Sequence, residues 1–435
     1  MTTTDFHSLL DNGSPEESQA PVALNGRELE VLLSPVSCEE FVNAYFSRVS
    51  LHVQGTPRKF DHIFGWEQLK HTLARGKKIP DRRYNITASF TSGEVSGNSR
   101  PMITANHDQV SDLLSAGATI CVTNIHMADP CLAQWAQAIR AQLNFAGTVG
   151  VNCYVSPDGS GLPMHYDKRV VTTLHIAGRK RWRFSTQAAK EWPDHNALYS
   201  QGRIEPVGVD GGKLPADMEF REVELNPGDL LCLPAGAWHS ARGVGVSLAL
   251  NLYFAPRNFL DQLVPLLRAF ANSNGNWRGG PPATLEKIQG QMPETVSRYM
   301  RERLDEFHKM ALEVLDGPEA LAEPWLNSLT QFPFTGWRPD PKLPIPGTTP
   351  DQRFRITQSS LRFIETHDGI VVPCDNGLLK FPVAAAPILY RLSSELAGFT
   401  IPAVLSWQQE SCGPSPDEVL DYLKTLYTNG ILEMI

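Results

Sequence analysis

Two histidines and an aspartate stand at spacings that suit one metal ion. His165 and Asp167 form an H-x-D pair within 159–184, and alternate residues of a strand face the same side. His239 follows a Gly-Asp turn, an apolar run and a corner with Pro and Gly in NPGDLLCLPAGAWHS (226–240). Two histidines and one carboxylate form the facial set that leaves positions open on Fe(II) for a bidentate oxoacid and O2. The spacing therefore predicts an iron site.

Each of these residues has a simpler interpretation when it is taken alone. A strand histidine is more often a hydrogen-bonded core residue than a ligand, and Asp167 could cap a turn. An isolated H-x-D pair is also weak, because the sequence has 12 histidines. The combination with His239 behind an apolar strand favours the metal site over these alternatives.

The segments around these residues have the pattern of short strands separated by turns. The strand-like runs between 147 and 256 are GTVGVNCYVSP, VVTTLHIAG, KRWRFS, GDLLCLPAG and VSLALNLYFAP. Their alternation, β-branched residues and Gly/Pro punctuation predict an antiparallel β-barrel or sandwich. In KRWRFS, alternation places Lys180 and Trp182 on one face of the strand and Arg179, Arg181 and Arg183 on the other.

The combined motifs resemble the JmjC-type, cupin-fold Fe(II)/2-oxoglutarate oxygenases, and among them the ribosomal-oxygenase branch. The resemblance runs from about 27 to 256 and rests on FVNAYFSRVSLHVQG, GATICVTNIHM, VNCYVSPDGSGLPMHYD, AGRKRW and GDLLCLPAGAWH. It implies an α+β protein with a double-stranded β-helix (jelly-roll or cupin) core. It also implies Fe(II), 2-oxoglutarate as cosubstrate, O2 as oxidant, and hydroxylation of a C–H bond in a side chain of a protein or peptide, with succinate as co-product.

The resemblance implies roles for single residues as well. His165, Asp167 and His239 match the iron ligands. The residues that match cosubstrate-binding positions are Lys180, Tyr154, Asn251 and Asn152. Lys180 corresponds to the cation that pairs with the distal carboxylate of 2-oxoglutarate, and a buried carboxylate without such a partner would cost several kcal/mol. For Tyr154 and Asn251, plain strand packing is the simpler alternative.

One stretch departs from the family pattern. Related sequences often have an acidic or neutral residue after the H-x-D, whereas Lys168 and Arg169 follow it here. This rim faces the incoming substrate in the family, so the departure leaves the substrate class open. His175 has the strand parity of His165, and a hydrogen-bonded core histidine is the preferred interpretation over a substrate-contacting one.

The sequence divides into units of different composition. The predicted units are a flexible tail (1–24), a JmjC or cupin catalytic domain (25–258), a helical dimerisation segment (259–336), a Pro-rich linker (337–350) and a winged-helix-like domain (351–435). Helices are predicted at 37–46, 65–74 and 129–145, in NFLDQLVPLLRAFAN, ATLEKIQGQM and ETVSRYMRERLDEFHKMALEVL, and at about 382–396, 401–409 and 416–428. The last of these carries a capping signal at Ser415 and Glu418. The helical segment is assigned to dimerisation because of the resemblance.

Charge and composition restrict the partners. The 435 residues are 42% hydrophobic and 20% charged, which fits a globular protein of two or three domains. A net charge of −8, with three basic against six acidic residues from Leu378 to Ile435, disfavours direct DNA binding and favours packing, dimer support or peptide capture for the last domain. The seven cysteines form no CxxC pair, and no signal peptide or membrane span is readable. We therefore expect a cytoplasmic protein without membrane contact, and the resemblance implies a homodimer.

Three functions from different classes follow. The favoured one is a protein or peptide hydroxylase, acting on a ribosomal protein or on a ribosomally made precursor peptide. The second is a non-oxygenase metal-binding cupin or isomerase acting on a small molecule, which would not need Lys180 and Tyr154. The third is a DNA-associated demethylase or regulator, which the charge and the lack of a zinc motif disfavour.

Overall fold

A computed structural model supplies the fold. It describes residues 4–10, 13, 26–90, 102–208, 210–286, 290–316, 325, 351–356, 363–366, 369–374, 377–395, 398–407 and 413–435. The helices up to residue 316 are α1 (Phe6–Leu10), α2 (Glu28–Leu33), α3 (Cys38–Glu40, continued by a π turn over Phe41–Tyr45), α4 (Trp66–Gly76), α5 (Val110–Ser115), α6 (Pro130–Gln142), α7 (Phe259–Ser273), α8 (Gly275–Arg278) and α9 (Glu294–Asp316). The strands of the same part are β1 (Leu51–Val53), β2 (Asn85–Ser89), β3 (Ile103–Ala105), β4 (Thr119–Thr123), β5 (Thr148–Ser156), β6 (Gly161–Tyr166), β7 (Val170–Ser185), β8 (Ala197–Ser200), β9 (Arg203–Glu205), β10 (Phe220–Leu225), β11 (Leu230–Leu233) and β12 (His239–Ala255).

Two long strands, β7 and β12, organise these twelve strands into a cupin-like barrel. They pair with each other along most of their length, but their two halves have different outer neighbours. In one half the strand order is β1-β11-β7-β12-β5-β4-β2-β3. In the other half β10 pairs with β7, β6 pairs with β12, β8 pairs with β6, and β9 pairs with β8. All these pairings are antiparallel. The double-stranded β-helix expected from the sequence is confirmed.

A bulge bends β7 and β12 between the two halves. The register between them shifts between Val244 and Leu248. Gly178 stands opposite this shift with φ +72°, and a Cβ there would lie 1.9 Å from the carbonyl oxygen of Val246. The sequence predicted separate strands, VVTTLHIAG and KRWRFS, and this is wrong because the backbone bends at Gly178 without leaving the sheet.

The barrel packs helices on its outside and keeps a second cluster inside. Leu174, Leu230 and Leu250 face outwards and belong to the same buried cluster as Leu132 and Ile139 of α6. The predicted helices at 65–74 and 129–145 are confirmed as α4 and α6. The inner cluster contains Val171, Trp182, Phe184, Leu225, Leu231, Leu233, Ala237, Ala241 and Tyr253. Polar inner-face residues beside this cluster form the candidate site.

The N-terminal segment contributes to the core. Phe6 and Leu10 in α1 are only 4% and 5% exposed, and the hydroxyl of Ser111 donates to the carbonyl oxygen of Phe6 at 3.4 Å. The interpretation of 1–24 as a flexible tail is therefore wrong for Phe6–Leu10. Two apolar residues four positions apart share a helix face, and tertiary packing stabilises so short a helix.

The segment after the barrel is helical only in part. Asn258 and Asp261 form a reciprocal capping box that starts α7. The predicted helix over ATLEKIQGQM is wrong for its described residues, 283–286 and 290–292. Prolines before and after this stretch disfavour helical backbone, and the run is too short to be stable by itself. The linker predicted at 337–350 lies outside the described residues.

The C-terminal part has its own core. Its strands are β13 (Arg353–Ile356), β14 (Ile364–Thr366), β15 (Gly369–Cys374), β16 (Gly377–Phe381), β17 (Phe399–Thr400) and β18 (Leu432–Met434), and its helices are α10 (Ala386–Ser394), α11 (Ile401–Ser406) and α12 (Pro416–Thr428). They form two sheets, β17-β13-β18 and β14-β15-β16, around one buried cluster. The capping box at Ser415 and Glu418 is confirmed. Among the described residues, no helix combines the length and the apolar character needed to cross a membrane.

Candidate metal centre and cosubstrate pocket

The three residues predicted to bind metal come together at one end of the barrel. His165 lies near the end of β6, Asp167 follows that strand, and His239 begins β12 directly opposite His165. Their ligand atoms all lie within 4.8 Å of one another, and Nε2 of His239 is 3.8 Å from an oxygen of Asp167. Two imidazoles and one carboxylate thus converge on a volume that suits one divalent ion.

The backbone sets the tautomer of both imidazoles. Nδ1 of His165 lies 2.8 Å from the carbonyl oxygen of Pro163, and Nδ1 of His239 lies 2.9 Å from that of Ala237. A carbonyl only accepts, so each Nδ1 carries the hydrogen and donates it, which leaves the lone pair of Nε2 for a metal. Burial lowers the pKa of His239 to about 4, so its imidazole is neutral near pH 7. The donor set therefore fits Fe(II).

The corner before β12 holds Asp167 in place. The backbone N–H of Gly236 donates to the carbonyl oxygen of Asp167 at 2.8 Å. Gly236 has φ +83°, and a Cβ there would lie 1.9 Å from the carbonyl oxygen of Lys190. Only glycine allows this close approach to Lys190. The hydrogen bond of Gly236 to Asp167 links the residue after β6 to the segment that precedes His239.

Lys180 supplies a buried cation on the inner face of the barrel. It is 4% exposed, and its ammonium donates to Oγ of Ser156 at 2.9 Å. No carboxylate of the described residues lies within 4.0 Å of it. Burial lowers the pKa of Lys180 to about 8. A cation buried without an acidic partner favours an anionic ligand, as the distal carboxylate of 2-oxoglutarate would be.

The other predicted cosubstrate residues lie on the same inner face. The ring centroid of Tyr154 is 5.9 Å from Nζ of Lys180, and burial raises the pKa of Tyr154 well above its usual value, so its hydroxyl stays protonated. Asn251 faces Asn152 across β12 and β5, and its buried Oδ1 has no hydrogen-bond partner among the described residues. Asn152 accepts instead from the backbone N–H of Asn124 at 3.0 Å. Asn251 therefore has capacity for a ligand, whereas the Tyr154 hydroxyl contacts the thiol of Cys121 and the Oδ1 of Asn152 holds a loop.

His175 has a structural environment. It is fully buried, and its Nε2 lies 3.0 Å from the carbonyl oxygen of Gly178 at the bulge. Burial lowers its pKa to about 4. This fits the preferred interpretation of a core histidine.

The predicted division of β7 into two faces is confirmed. Lys180 and Trp182 are buried, while Arg179 and Arg181 are exposed and pair with Glu224 at 2.8 Å and 3.6 Å. Arg183 pairs on the same outer face with Glu222 at 3.7 Å.

Sequence reasoning missed Ser156 and Tyr253, and it missed the contacts that Trp182 and Arg169 make around the site. Ser156, which binds Lys180, lies two positions after Tyr154, so strand parity could have found it. The ring of Trp182 stacks beside His239 with centroids 5.9 Å apart. Arg169 lies over the ring of Tyr253, 4.1 Å from its centroid. No local pattern signals that last contact, because the two residues are far apart in the sequence.

The barrel and its converging ligands define the cupin class, and comparison with known proteins narrows it. A model of the JmjC domain matches residues 128–261. The chain is 26% identical over 265 residues to the Bacillus subtilis (strain 168) protein YxbC, covering 58% of this chain and 77% of that protein. It is 29% identical over 196 residues to ribosomal oxygenase 2 of Rattus norvegicus, covering 43% of this chain and 38% of that protein.

A solved structure shows a similar fold over almost the whole length. The structure of YcfD, a ribosomal oxygenase from Escherichia coli, in complex with cobalt and 2-oxoglutarate, superposes with a TM-score of 0.56 at 16% identity, over 92% of this chain and 98% of that one. At this identity the likeness speaks for the fold. Residues 128–261 thus match the JmjC domain, and the chain is similar to proteins named ribosomal oxygenases, in line with the resemblance found in the sequence. It spans less than half the length of the rat ribosomal oxygenase.

Proposed function

We propose that this chain is an Fe(II)- and 2-oxoglutarate-dependent oxygenase that hydroxylates a C–H bond in a side chain of a protein or peptide. The observation that carries the proposal is the convergence of His165, Asp167 and His239 within 4.8 Å, with both Nδ1 atoms bound to backbone carbonyls. The JmjC-domain match and the similarity to proteins named ribosomal oxygenases support it.

Each residue of the pocket has a separate task in this reaction. His165, Asp167 and His239 would hold the iron, which when bound supplies the oxidising chemistry that couples decarboxylation of 2-oxoglutarate to hydroxylation of the substrate. Lys180 binds the distal carboxylate of the cosubstrate and so orients it along the barrel. The hydroxyl of Tyr154 donates to the same carboxylate. The buried cluster around Trp182 keeps water from the inner wall.

The second candidate, a non-oxygenase cupin or isomerase, has less support. Such a protein has no need of a cation deep in the barrel, and a buried ammonium without an acidic partner costs free energy in the ligand-free state. Lys180 is such a cation. Its presence favours a cosubstrate with a carboxylate at the far end.

The other parts of the sequence are assigned by the same proposal. We assign 25–258 to the catalytic domain, 259–336 to dimerisation and 351–435 to a winged-helix-like domain that packs or captures peptide and does not bind DNA. The exposed apolar residues of α7 support the dimer, and the strands and three helices of the C-terminal part support the winged-helix-like assignment. Ribosomal proteins and ribosomally made precursor peptides are the proposed substrates, and the cytoplasm the proposed location.

Cosubstrate turnover tests this function directly. We expect succinate formation that requires both iron and 2-oxoglutarate, and a mass increase of one oxygen atom in a ribosomal protein or precursor peptide. Succinate formation that is unchanged when iron is removed by a chelator would count against the proposal. Binding of a small molecule without any 2-oxoglutarate turnover would favour the second candidate.

A further inference from the structure

Arg169 places a guanidinium at the edge of the candidate site. It follows Asp167 by two residues and directly precedes β7. Its guanidinium carbon lies 4.1 Å from the ring centroid of Tyr253, which is 6% exposed. A cation over an aromatic face is held there by electrostatic attraction. The buried ring therefore fixes the direction of this partly buried arginine.

The ring of Tyr253 is itself held by contacts at its hydroxyl. Its hydroxyl donates to Oδ1 of Asn124 at 2.6 Å, and Nδ2 of Asn124 donates to the carbonyl oxygen of Arg83 at 2.8 Å. Gly150 stands opposite Tyr253 in the register of β5 and β12, and a Cβ there would lie 2.4 Å from the tyrosine oxygen. The hydrogen bond and the close packing against Gly150 hold the buried ring in position as a support for the guanidinium.

Arg169 lacks the acidic partner that the arginines of the outer face have. Arg179, Arg181 and Arg183 each lie within 4.0 Å of a glutamate, whereas among the described residues no carboxylate lies that close to Arg169. A guanidinium has five N–H donors, and stacking on a ring leaves most of them for other partners. This arginine is therefore directed by the fold and still open to an anion.

The guanidinium borders the same pocket as the metal cluster. Asp167 and Arg169 both act electrostatically on Tyr154 and on Cys121, which pairs with Tyr154 across β4 and β5. An anion bound at Arg169 would thus lie beside the place where a substrate side chain reaches the metal. The neighbouring Lys168 is exposed to solvent, which screens its charge.

We propose that Arg169 is a specificity residue that binds a carboxylate of the substrate next to the residue being oxidised. The inference rests on the proposed function and specifies its substrate class as acidic peptide segments. The planar fork of arginine matches a carboxylate in two-point contact, and partial burial makes the contact stronger than one on the open surface. Basic segments are repelled by the same guanidinium.

Matched peptide libraries test this preference with the protein reconstituted with iron and 2-oxoglutarate. One degenerate library contains Asp and Glu, and its counterpart has Asn and Gln at the same positions; both have amidated C-termini. The readouts are succinate formation above the peptide-free rate and the addition of one oxygen atom. We expect the native protein to prefer the acidic library by about tenfold or more, which corresponds to one charge-assisted contact.

Four variants separate recognition from a merely structural role. Arg169→Gln should reduce the preference to about one, Arg169→Glu should invert it, and Arg169→Lys, which keeps the charge but loses the fork, should retain part of it. Lys168→Gln, at the exposed neighbouring position, is the matched control and should keep the native preference. Thermal unfolding of each variant shows whether the fold is intact, and the ratio between libraries is insensitive to a uniform loss of activity.

Several outcomes would overturn the inference. The first is equal turnover of both libraries by the native protein. The second is an acidic preference that persists in Arg169→Gln. The third is that neither library stimulates succinate formation, although iron-dependent succinate formation continues without peptide. In those cases the oxygenase proposal stands. No succinate formation under any condition would remove the proposed function and this inference with it. A preference seen only in a third library with free C-termini would assign the carboxylate to the peptide terminus instead of a side chain.

Discussion

Backbone carbonyl oxygens orient the two candidate histidine ligands. Pro163 and Ala237 each accept from an Nδ1–H two residues further along. The direction of each lone pair is therefore set by local strand geometry, and no second side chain has to be in place. This makes His165 and His239 direct tests of the metal site.

Replacing His165 tests the metal assignment. We expect His165→Ala to weaken Fe(II) binding by more than about 100-fold, because even the loss of a group that only orients a ligand costs roughly 10–100-fold. Metal binding measured anaerobically by calorimetry, together with succinate formation, checks this. His308→Ala, at an exposed position on α9, is the control and should bind metal normally. Native-like affinity in His165→Ala would remove this residue from the site.

Replacing Lys180 separates cosubstrate binding from stability. Lys180→Met keeps the length of the side chain and removes the charge, so we expect 2-oxoglutarate to bind about 2–4 kcal/mol more weakly. The free energy of unfolding should stay equal or rise, because an uncompensated buried cation is removed. Arg179→Ala, the neighbour on the opposite face, should change neither quantity by more than about 1 kcal/mol. An unchanged affinity in Lys180→Met would show that the carboxylate binds elsewhere.

The pKa of Lys180 predicts a pH dependence of cosubstrate affinity. Burial lowers this pKa to about 8, so the free protein loses the binding cation as the pH rises through 8. The dissociation constant of 2-oxoglutarate should be constant just below that pH and rise by about tenfold per pH unit above it, since the bound carboxylate favours the charged lysine. Titrations with Mn(II) in the site check this. Lys180→Arg should bind without this rise, because arginine stays protonated.

The bulge between the two halves of the barrel lies on β7, the strand that carries Lys180. Gly178 bends β7 just before Lys180, and a Cβ at Gly178 would meet the carbonyl oxygen of Val246 at 1.9 Å. Gly245 has a similar φ of +77°, but a Cβ there meets nothing within 4 Å among the described residues. The two glycines therefore differ in steric contact while sharing a similar positive φ.

This pair gives a prediction about the bent strand. We expect Gly245→Ala to lower the free energy of unfolding by about 1–2 kcal/mol, the usual cost of placing alanine in the left-handed region. Gly178→Ala should cost at least about 2 kcal/mol more, because its Cβ also overlaps a carbonyl oxygen and overpacking penalties have this size. Gly178→Ala should also weaken 2-oxoglutarate binding, because the strand that carries Lys180 must shift. Urea unfolding and cosubstrate titration measure both effects. Equal losses in the two variants would show that the contact with Val246 relaxes freely.

Strand parity explains how much of the site could be predicted. A period of two is a local property, so the shared face of His165 and Asp167 and that of Lys180 and Trp182 follow from spacing alone. The contact of Arg169 with Tyr253 depends on the register of β7 against β12, and the contact of Lys180 with Ser156 on the closure of the barrel. Those are long-range facts with no local pattern. The burial of α1 was missed for the same reason, since its partners lie on α4 and α5.

At the level of the whole molecule, α7 and α9 present apolar side chains to solvent. Phe259 and Leu260 of α7 are 68% and 64% exposed, and Leu304 of α9 is 62% exposed. Exposed apolar residues on surface helices are typical of interaction sites, and self-association through a two-fold axis is the commonest arrangement. The proposed dimer would cover these residues.

Charged substitutions test whether these helices hold two copies together. In the proposed dimer, Leu260→Glu and Leu304→Glu would bury an unpaired carboxylate, so we expect each to shift the protein from dimer to monomer at micromolar concentration. Lys309 also lies on α9, about 140° around the helix axis from Leu304, so Lys309→Glu is the control and should leave the dimer intact. Sedimentation equilibrium measures the mass, and iron-dependent succinate formation shows that the barrel is still folded. A native protein that sediments as a monomer would contradict the proposed dimer. Glutamate variants that remain dimeric would place the interface elsewhere and leave the apolar faces of α7 and α9 without this role.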